Sequence, residues 1–431
     1  MEVDPTRMCE LLVGLPDVVV LGIVDDHVDG RLRVHIETRS ERWSCIGCQM
    51  TARVKERPEV ELVDLPVFGR QVRLVWRKRR LVCVQPGCAV VSWTVEDPAI
   101  ASPRLALTDR AGRWVTEQVG RYGRTVNEVA VELGCDWHTV NDAVVAYGSA
   151  LVDDPARIGE PTALGLDETL FCRLGPRRRQ CWSTSIVDVA GGRLLDVVAG
   201  RSAVEPCRWL AERGQEWLDR IEWATLDLSG PYRLVFDTML PDAVQIVDPF
   251  HLIRVANAKL DECRRRVQND TLGHRGRKTD PLYRCRRLLI RADERLDEGG
   301  RTKLLGLLDA GDPHGEVRTA WHAKEVVRSI YDHRDPELAT SFVERLGRDL
   351  QDESCPVEVR SLGRTLLRWR DQIAAWHRAH LTNAPTEAAN NLIKRVKRVA
   401  FGLTRFRNFR IRVLLYAGRP NWDLLATVAP R

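Results

Sequence analysis

Seven consecutive segments decide the fold: TALGLDETLFCR (162–173), RQCWSTSIVDV (179–189), RLLDVVAG (193–200), AVEPCRWLAERGQEWLDRI (203–221), EWATLDL (222–228), GPYRLVFDTML (230–240) and AVQIVD (243–248). Short apolar runs bounded by turn residues predict three strands in succession. The remaining segments predict a helix, a fourth strand, a second helix and a fifth strand. Three hairpin-linked strands followed by alternating helices and strands are typical of a mixed sheet covered by helices.

Two carboxylates stand at the polar ends of predicted strands, Asp167 in LGLDE and Asp227 in ATLDLS. If the first and fourth strands are neighbours, these carboxylates lie side by side, an arrangement that is costly unless a cation lies between them. Oxygen ligands indicate Mg²⁺ or Mn²⁺, and a pair of such ions supports phosphoryl transfer. The pattern alone leaves open that each Asp only caps a turn or a helix.

The segments before the mixed sheet predict two smaller units. Residues 1–40 alternate apolar and polar side chains after Val18 and predict N-terminal strands. Residues 41–98 contain CIGC, two alternating segments around a Phe68-Gly69 turn, and PGC, which together predict a cysteine-tipped hairpin. Its four cysteines have the chemistry of a structural zinc site, although their spacing departs from common forms: Cys45, Cys48, Cys83 and Cys88.

Residues 103–150 predict three helices, with the second ending at Gly134 and the third at Gly148. The pattern fits a DNA-binding helix-turn-helix whose recognition helix begins near Asp136. The base-reading candidates are Trp137, His138, Thr139 and Asn141, and the phosphate-contacting candidates are Arg121 and Arg124. An ordinary packing unit of three helices is the alternative interpretation.

The second half of the chain predicts a catalytic core with an insertion. We expect the core to occupy residues 160–252, an all-α insertion residues 253–380, and a final helix with a basic segment residues 381–420. Trp321 and Trp369 in the insertion would either stack on an unpaired base or belong to its core.

Composition and charge narrow the class of protein. A chain of 431 residues with 44% hydrophobic and 29% charged residues is globular and long enough for several domains. The net charge of +6 is modest, but basic residues crowd between residues 32 and 88 and again between 394 and 412. Such runs either attract phosphate backbones or form solvated faces.

The first 26 residues lack the pattern of a secretory signal peptide, and no segment has the length and hydrophobicity of a membrane span. We therefore expect a cytoplasmic protein, associated with the nucleoid when bound to DNA. Because cytosolic thiols stay reduced, the 12 cysteines favour metal binding over disulfides, and the eight outside the zinc motif are expected to be small buried side chains.

Three stretches of the sequence resemble the ISL3 family of bacterial insertion-sequence transposases: LGLDE (164–168), LDLSGPYRLVFDTMLPDAVQIVDPFHLIRVANAKLDECRRR (226–266) and PTEAANNLIKRVKRVAFGLTRFRNFRIRVLL (385–415). The resemblance implies a DDE transposase with a ribonuclease H-like core. It also implies an acidic triad of Asp167, Asp227 and Glu387 that holds two Mg²⁺ or Mn²⁺ ions, and a structural Zn²⁺ on the cysteines.

The same resemblance implies roles for residues near the triad. Asp248 and His251 match a supporting element, in which the histidine either positions DNA or hydrogen-bonds across the sheet edge. The candidates for DNA contact in the final helix and the basic segment are Lys394, Arg395, Lys397, Arg398, Arg405 and Arg407.

The sequence thus predicts a multidomain α+β enzyme that binds the terminal inverted repeats of its element, cleaves double-stranded DNA at the ends and joins them to target DNA. Bringing two ends together implies at least a homodimer on DNA. Two alternatives stay open at this point, a DNA-binding regulator without catalysis and a ribonuclease H-like nuclease without strand transfer.

Overall fold

The fold is described from a computed structural model, which covers residues 4–39 and 43–430. Its strands are β1 (Val18–Asp26), β2 (Arg31–Thr38), β3 (Ala52–Glu56), β4 (Glu59–Val67), β5 (Arg70–Arg77), β6 (Arg80–Cys83), β7 (Ser92–Thr94), β8 (Ala163–Leu174), β9 (Arg179–Asp188), β10 (Arg193–Ala199), β11 (Trp223–Leu226) and β12 (Val244–Val247).

Its α-helices are α1 (Pro5–Val13), α2 (Asp109–Gly120), α3 (Val126–Leu133), α4 (Trp137–Val152), α5 (Val204–Ala211), α6 (Gln215–Asp219), α7 (Gly230–Met239), α8 (Pro249–Leu272), α9 (Pro281–Leu289), α10 (Glu298–Gly311), α11 (Glu316–Arg328), α12 (Pro336–Asp349), α13 (Val357–Arg368), α14 (Arg370–Ala379), α15 (Ala384–Val399) and α16 (Phe406–Ala417). The chain forms two compact units: the first contains Met1–Gly159, Phe171–Gln180 and Asn391–Arg431, and the second contains Glu160–Leu170 and Cys181–Asn390.

The first unit contains a four-stranded sheet in the order β1-β2-β5-β4, with β2 and β5 parallel. Ile36, Leu74 and Trp76 are buried in its core. The predicted hairpin around Phe68 therefore pairs with the N-terminal strands and not with the cysteine motif, because its alternating apolar residues extend the buried face of β2. The prediction of strands alone for residues 1–40 also missed α1, which Asp4 caps at its start and Gly14 at its end.

The three predicted helices of residues 103–150 are present as α2, α3 and α4. Thr125 and Glu128 form a capping box at the start of α3, and Gly134 ends that helix with a left-handed φ of 63°. The predicted end at Gly148 is wrong, because α4 continues to Val152. Gly148 marks a close helix approach instead, since a Cβ there would lie 2.8 Å from Cδ1 of Leu415 in α16.

The second unit is built on a five-stranded sheet in the order β10-β9-β8-β11-β12. The condition on which the sequence analysis relied is met, because the first and fourth strands of this region, β8 and β11, pair in parallel. The single helix predicted for residues 203–221 is wrong. It divides into α5 and α6, with Gly214 in an extended conformation between them.

Residues 249–379 of the second unit are helical and include α8 to α14, with no strand among them in the structure. Trp321 and Trp369 are buried there, which agrees with a role in the core. None of the helices in residues 4–39 and 43–430 has the combination of length and hydrophobicity that crossing a bilayer requires.

Helix α15 approaches β8 and β11 very closely at Gly165. A Cβ on Gly165 would lie 2.4 Å from Oγ1 of Thr386 in α15 and 2.8 Å from Oγ1 of Thr225 in β11. Both threonines are fully buried, so neither can yield. Glycine is therefore the residue that lets α15 reach the sheet, and α15 is followed by one more helix, α16, where the sequence predicted only a basic segment.

We predict that Gly165→Ala lowers the free energy of unfolding by about 1–3 kcal/mol, because the added methyl group overpacks this contact. Chemical denaturation followed by circular dichroism measures the change. Gly306→Ala in α10 is the matched control, since a Cβ there meets no atom within 4 Å, and it should be neutral or slightly stabilising. Equal stability of the two variants would contradict the close approach of α15.

Candidate active site and metal centre

Parallel pairing of β8 and β11 brings the two predicted carboxylates together, although Asp167 lies within β8 and not at its end as the sequence predicted. Asp227 directly follows the last residue of β11. Thr225 pairs with Gly165, and two residues further along the same register Asp227 faces Asp167. Carboxylate oxygens of Asp167, Glu168 and Asp227 all lie within 4.8 Å of one another. The close pair that the sequence predicts is present, and Glu168 joins it.

Asp227 is the most perturbed acid of this cluster. Burial, together with the neighbouring charges of Asp167 and Glu168, raises the pKa of Asp227 from 3.8 to about 7. Its Oδ1 is buried and has no hydrogen-bond partner. A divalent cation would supply the missing partner and offset the repulsion, so the donor set fits Mg²⁺ or Mn²⁺.

One face of α15 and the residue before it hold this cluster in place. Nδ2 of Asn390 donates to Oδ2 of Asp167 at 2.5 Å, and Oγ of Ser185 in β9 donates to Oδ1 of Asn390 at 2.9 Å. Oγ1 of Thr225 donates to Oδ1 of Asn383 at 3.2 Å. The spacing of Asn383, Thr386 and Asn390 in the sequence is that of side chains on one face of a helix. It could have indicated this polar face, but it does not specify which residues these side chains contact.

Asp248 ties the start of α8 to the start of α15. Its Oδ1 accepts a hydrogen bond from the backbone N–H of Phe250 at 2.7 Å, and its Oδ2 accepts one from the backbone N–H of Asn383 at 2.5 Å. Both carboxylate oxygens are thus occupied by backbone donors. Asp248 acts as a positioning residue in this geometry.

Glu387 lies on the same helix but outside the cluster of three carboxylates. Its side chain is 45% exposed, and its Oε1 lies 3.3 Å from Nε2 of the buried His251. The contact does not have hydrogen-bond geometry, and neither ring nitrogen of His251 has a hydrogen-bond partner. The structure therefore brings Glu387 beside His251, whereas the sequence predicted it beside Asp167 and Asp227.

Glu168 is the cluster member that the sequence analysis missed. Alternation along a strand places residue 168 on the opposite face from residue 167, so the pattern contained no signal for it. Its longer side chain nevertheless brings a carboxylate oxygen within reach of the other two acids.

Four cysteines form a second cluster, in the first unit. Sγ of Cys45 lies 3.8 Å from Sγ of Cys88, and Sγ of Cys48 lies 3.6 Å from Sγ of Cys83. Cys45 and Cys48 lie in the turn before β3, Cys83 is the last residue of β6, and Cys88 lies in the loop between β6 and β7. These strands form a three-stranded sheet of order β3-β6-β7. Backbone N–H groups of Cys48 and Gly47 lower the pKa of Cys45 to about 6. Four converging sulfurs fit a tetrahedral structural zinc ion.

The residues predicted to read DNA differ in their surroundings. Trp137 and His138 are exposed at the start of α4, whereas Asn141 is buried, and its Oδ1 accepts a 3.4 Å hydrogen bond from Asn408. Thr139 donates through its backbone N–H and its hydroxyl to Asp136, the residue that caps α4.

The arginines predicted to contact phosphate near these helices are paired within the protein. Arg121 pairs with Glu117 at 2.8 Å and Arg124 with Glu132 at 2.6 Å. Such exposed ion pairs are weak, so a phosphate can replace the carboxylate as the partner of each arginine.

The two basic runs also differ. Many cations between residues 32 and 88 pair with carboxylates, among them Arg57 with Glu37 at 3.4 Å and Arg80 with Glu56 at 2.9 Å. In the C-terminal run five exposed cations form no ion pair with any residue that the structure describes: Lys394, Arg395, Arg398, Arg405 and Arg407. The C-terminal run is therefore the stronger candidate for binding phosphate.

Comparison with known proteins agrees with the geometry of both clusters. A family profile described as a transposase, of the ISL3 type, matches residues 164–413, and a profile described as the zinc-finger of transposase IS204/IS1001/IS1096/IS1165 matches residues 41–95. The transposase for insertion sequence element IS1001 of Bordetella parapertussis is 24% identical over 381 residues, which cover 86% of this chain and 88% of that protein. The transposase for IS1557 of Mycobacterium tuberculosis is 26% identical over 348 residues, which cover 73% and 76%.

We predict that the purified chain contains one zinc ion and that Cys45→Ser loses it, because a structural site needs all four thiolates. Elemental analysis measures the metal, and circular dichroism should show partial unfolding in the variant. Cys355→Ser is the control, since Cys355 lies outside the cluster. Full zinc occupancy in Cys45→Ser would contradict the assignment.

We predict that the metal-free protein loses stability as the pH rises from about 5 to 8. The pKa of Asp227 is raised to about 7 in the folded state, so its stabilising contribution is complete below the unfolded pKa near 4 and is lost as the pH passes 7. The change is on the order of 3 kcal/mol at most.

Denaturation curves across this pH range test the prediction, with Asp227→Asn as the variant and Asp237→Asn as the control. Asp227→Asn should make the stability of the protein less dependent on pH. Mg²⁺ should restore the stability of the wild type at pH 8 and should not affect that of the variant. A profile that Asp227→Asn leaves unchanged would refute the role of this carboxyl.

Proposed function

The chain belongs to the ISL3 family of insertion-sequence transposases, and we propose that it binds the terminal inverted repeats of its element, cleaves DNA at the element ends and transfers the freed strands into target DNA. The observation that supports this most directly is Asp227, a half-buried carboxylate beside two other acids, whose buried Oδ1 has no hydrogen-bond partner among the described residues. Such a group has the environment that a divalent cation requires.

In this proposal Asp167, Asp227 and Glu387 hold two Mg²⁺ or Mn²⁺ ions. When bound, the ions activate the attacking oxygen and stabilise the leaving oxygen of an in-line phosphoryl transfer. The protein orients the ligands: the side chain of Asn390 donates to one oxygen of Asp167, and the backbone N–H of Glu168 donates to the other at 2.8 Å. His251 borders Glu387, while Glu168 adds negative charge to the cluster.

We further propose that the five-stranded sheet is a ribonuclease H-like core interrupted by the helices α8 to α14. Its strand order, with three consecutive strands beside two parallel ones, supports this assignment. The core would receive the scissile phosphate beside Asp167 of β8 and Asp227, which follows β11. No covalent intermediate with the protein is needed, since water and then the freed 3′-hydroxyl serve as the attacking groups.

We propose that α3 and α4 act as a helix-turn-helix that reads the element ends. The capped turn at Gly134 and the exposed Trp137 and His138 at the start of α4 support this role. The zinc-bearing sheet is proposed to be structural. Phosphate contacts are assigned to the C-terminal basic run, and the active form on DNA is a homodimer or a higher oligomer.

A regulator that only binds DNA would have no need for three acids this close together, which cost stability without a cation. A nuclease without strand transfer would share that cluster, so only its products distinguish it. These two alternatives define the experiment.

We predict that the wild type with Mg²⁺ or Mn²⁺ nicks labelled element-end DNA and joins it to target DNA. Asp227→Ala should lower the rate of both steps by at least about 100-fold but should still bind the element ends. Gel analysis of products and of binding measures both. Glu387→Gln should lose activity as Asp227→Ala does, whereas Glu168→Gln should retain measurable activity.

Each other result has a definite meaning. Equal activity of Asp227→Ala and the wild type would refute the metal site, and nicks without joined products would indicate the nuclease. End binding without any nicking would indicate the regulator. Loss of activity in Glu168→Gln with activity kept in Glu387→Gln would assign the third acid to Glu168.

A further inference from the structure

Arg412 in α16 is a buried cation without a partner. The residue is only 4% exposed, and its Nε is buried without a hydrogen bond. Within residues 4–39 and 43–430 its guanidinium forms no hydrogen bond and no ion pair. Burial lowers the pKa of Arg412 to about 10, with no contribution from any neighbouring carboxylate, so the side chain keeps its charge at neutral pH.

The other buried Arg and Lys side chains of the described residues all have partners. Arg73 and Arg157 donate to backbone carbonyl oxygens. Arg264 donates to a carboxylate and to a glutamine side chain, and Lys324 donates to a carbonyl oxygen and contacts a carboxylate. Since an unpaired buried charge is destabilising, Arg412 departs from the pattern in the way that a binding residue would.

Arg412 opens into a narrow crevice formed by residues of α2, α15 and α16. Its walls and rim are formed by Val119, Val396, Val399, Arg395 and Tyr416. The interior volume of about 10 Å³ accommodates roughly one water-sized group. The guanidinium of Arg395 lies 5.4 Å from the ring centroid of Tyr416, and no acidic side chain lines the crevice.

We propose that this crevice is a site for one phosphate group of the DNA backbone, which inserts a single non-bridging oxygen that accepts a hydrogen bond from Arg412. Arg395 supplies a second positive charge at the rim. The inference rests on the proposed function, because DNA is the phosphate source that a transposase meets. The narrow opening admits one oxygen of a phosphodiester, and two guanidinium groups without a carboxylate match its charge.

In this proposal Arg412 makes a phosphate contact of fixed geometry, whereas the exposed cations around the crevice make adaptable ones. Exposed cations such as Lys394 and Arg405 can follow a phosphate backbone in many arrangements, whereas a buried guanidinium has only one. A phosphate on Arg412 would therefore fix the position of the DNA against α2 and α16. Such contacts set register and do not read sequence.

The first test measures thermal unfolding of the full chain in chloride and in inorganic phosphate at equal ionic strength. The wild type should be stabilised by phosphate, and Arg412→Met should lose that increment. In chloride, Arg412→Met should be as stable as the wild type or more stable, because it removes an unpaired buried charge. Arg73→Met is the matched control: it should lower stability but keep the phosphate increment.

The second test measures the salt dependence of binding to element-end DNA. The plot of log K against log salt should become shallower by about 0.9 in Arg412→Met, the contribution of one phosphate contact. Arg412→Lys keeps the charge and should keep most of the slope. If Arg412→Met does not fold, Arg412→Lys and Arg412→Gln are compared in the same two assays.

The outcomes are separable from those of the proposed function. The site would be overturned if Arg412→Met changed neither the stabilisation by phosphate nor the slope of log K against log salt. It would also be overturned if Arg412→Lys and Arg412→Met lowered that slope equally. A phosphate increment that depends on Arg412, with an unchanged slope on DNA, would overturn the assignment to DNA. Failure of the wild type to bind element-end DNA would overturn the proposed function and not the phosphate site.

Discussion

The repulsion between Asp167 and Asp227 is the constraint around which the second unit is arranged. Parallel pairing of β8 and β11 brings these two acids together, and burial raises the energy of charging the second one. Like charges at this distance persist only if the surrounding structure holds them and a cation relieves them. Asn390 holds one of them through a direct hydrogen bond, and Ser185 holds Asn390 in turn.

The long helical segment between α7 and α15 is compatible with that site because both of its ends are attached to the sheet. Asp248 caps the first of its helices and accepts a hydrogen bond from the backbone of Asn383, where the chain returns. Gly165 then allows the returning helix to lie against β8. Helices α8 to α14 can therefore pack on one another, with α14 against β12, without displacing the acids.

Positive charge in the sequence does not translate directly into a positive surface. Many arginines of the N-terminal region pair with acids of the same region, among them Arg57 with Glu37, Arg70 with Asp25 and Arg80 with Glu56. Their charge is largely neutralised there. The C-terminal run has no Asp or Glu between residues 388 and 422, so its exposed cations have no such neighbours in sequence. Arg412 is the extreme case, since it is buried and forms no ion pair with any residue in the described part of the chain.

The sequence by itself determined the succession of strands in the second unit, two acids of the cluster, the four clustered cysteines and the helical capping at Gly134. These features depend on local periodicity and on residues with special backbone or ligand chemistry. Only the tertiary structure decided that Glu168 joins the acids while Glu387 lies beside His251, that the hairpin at Phe68 pairs with β2, and that α4 passes through Gly148. Each of those outcomes depends on contacts between residues far apart in the chain, where side-chain reach and close packing, not local pattern, set the free energy.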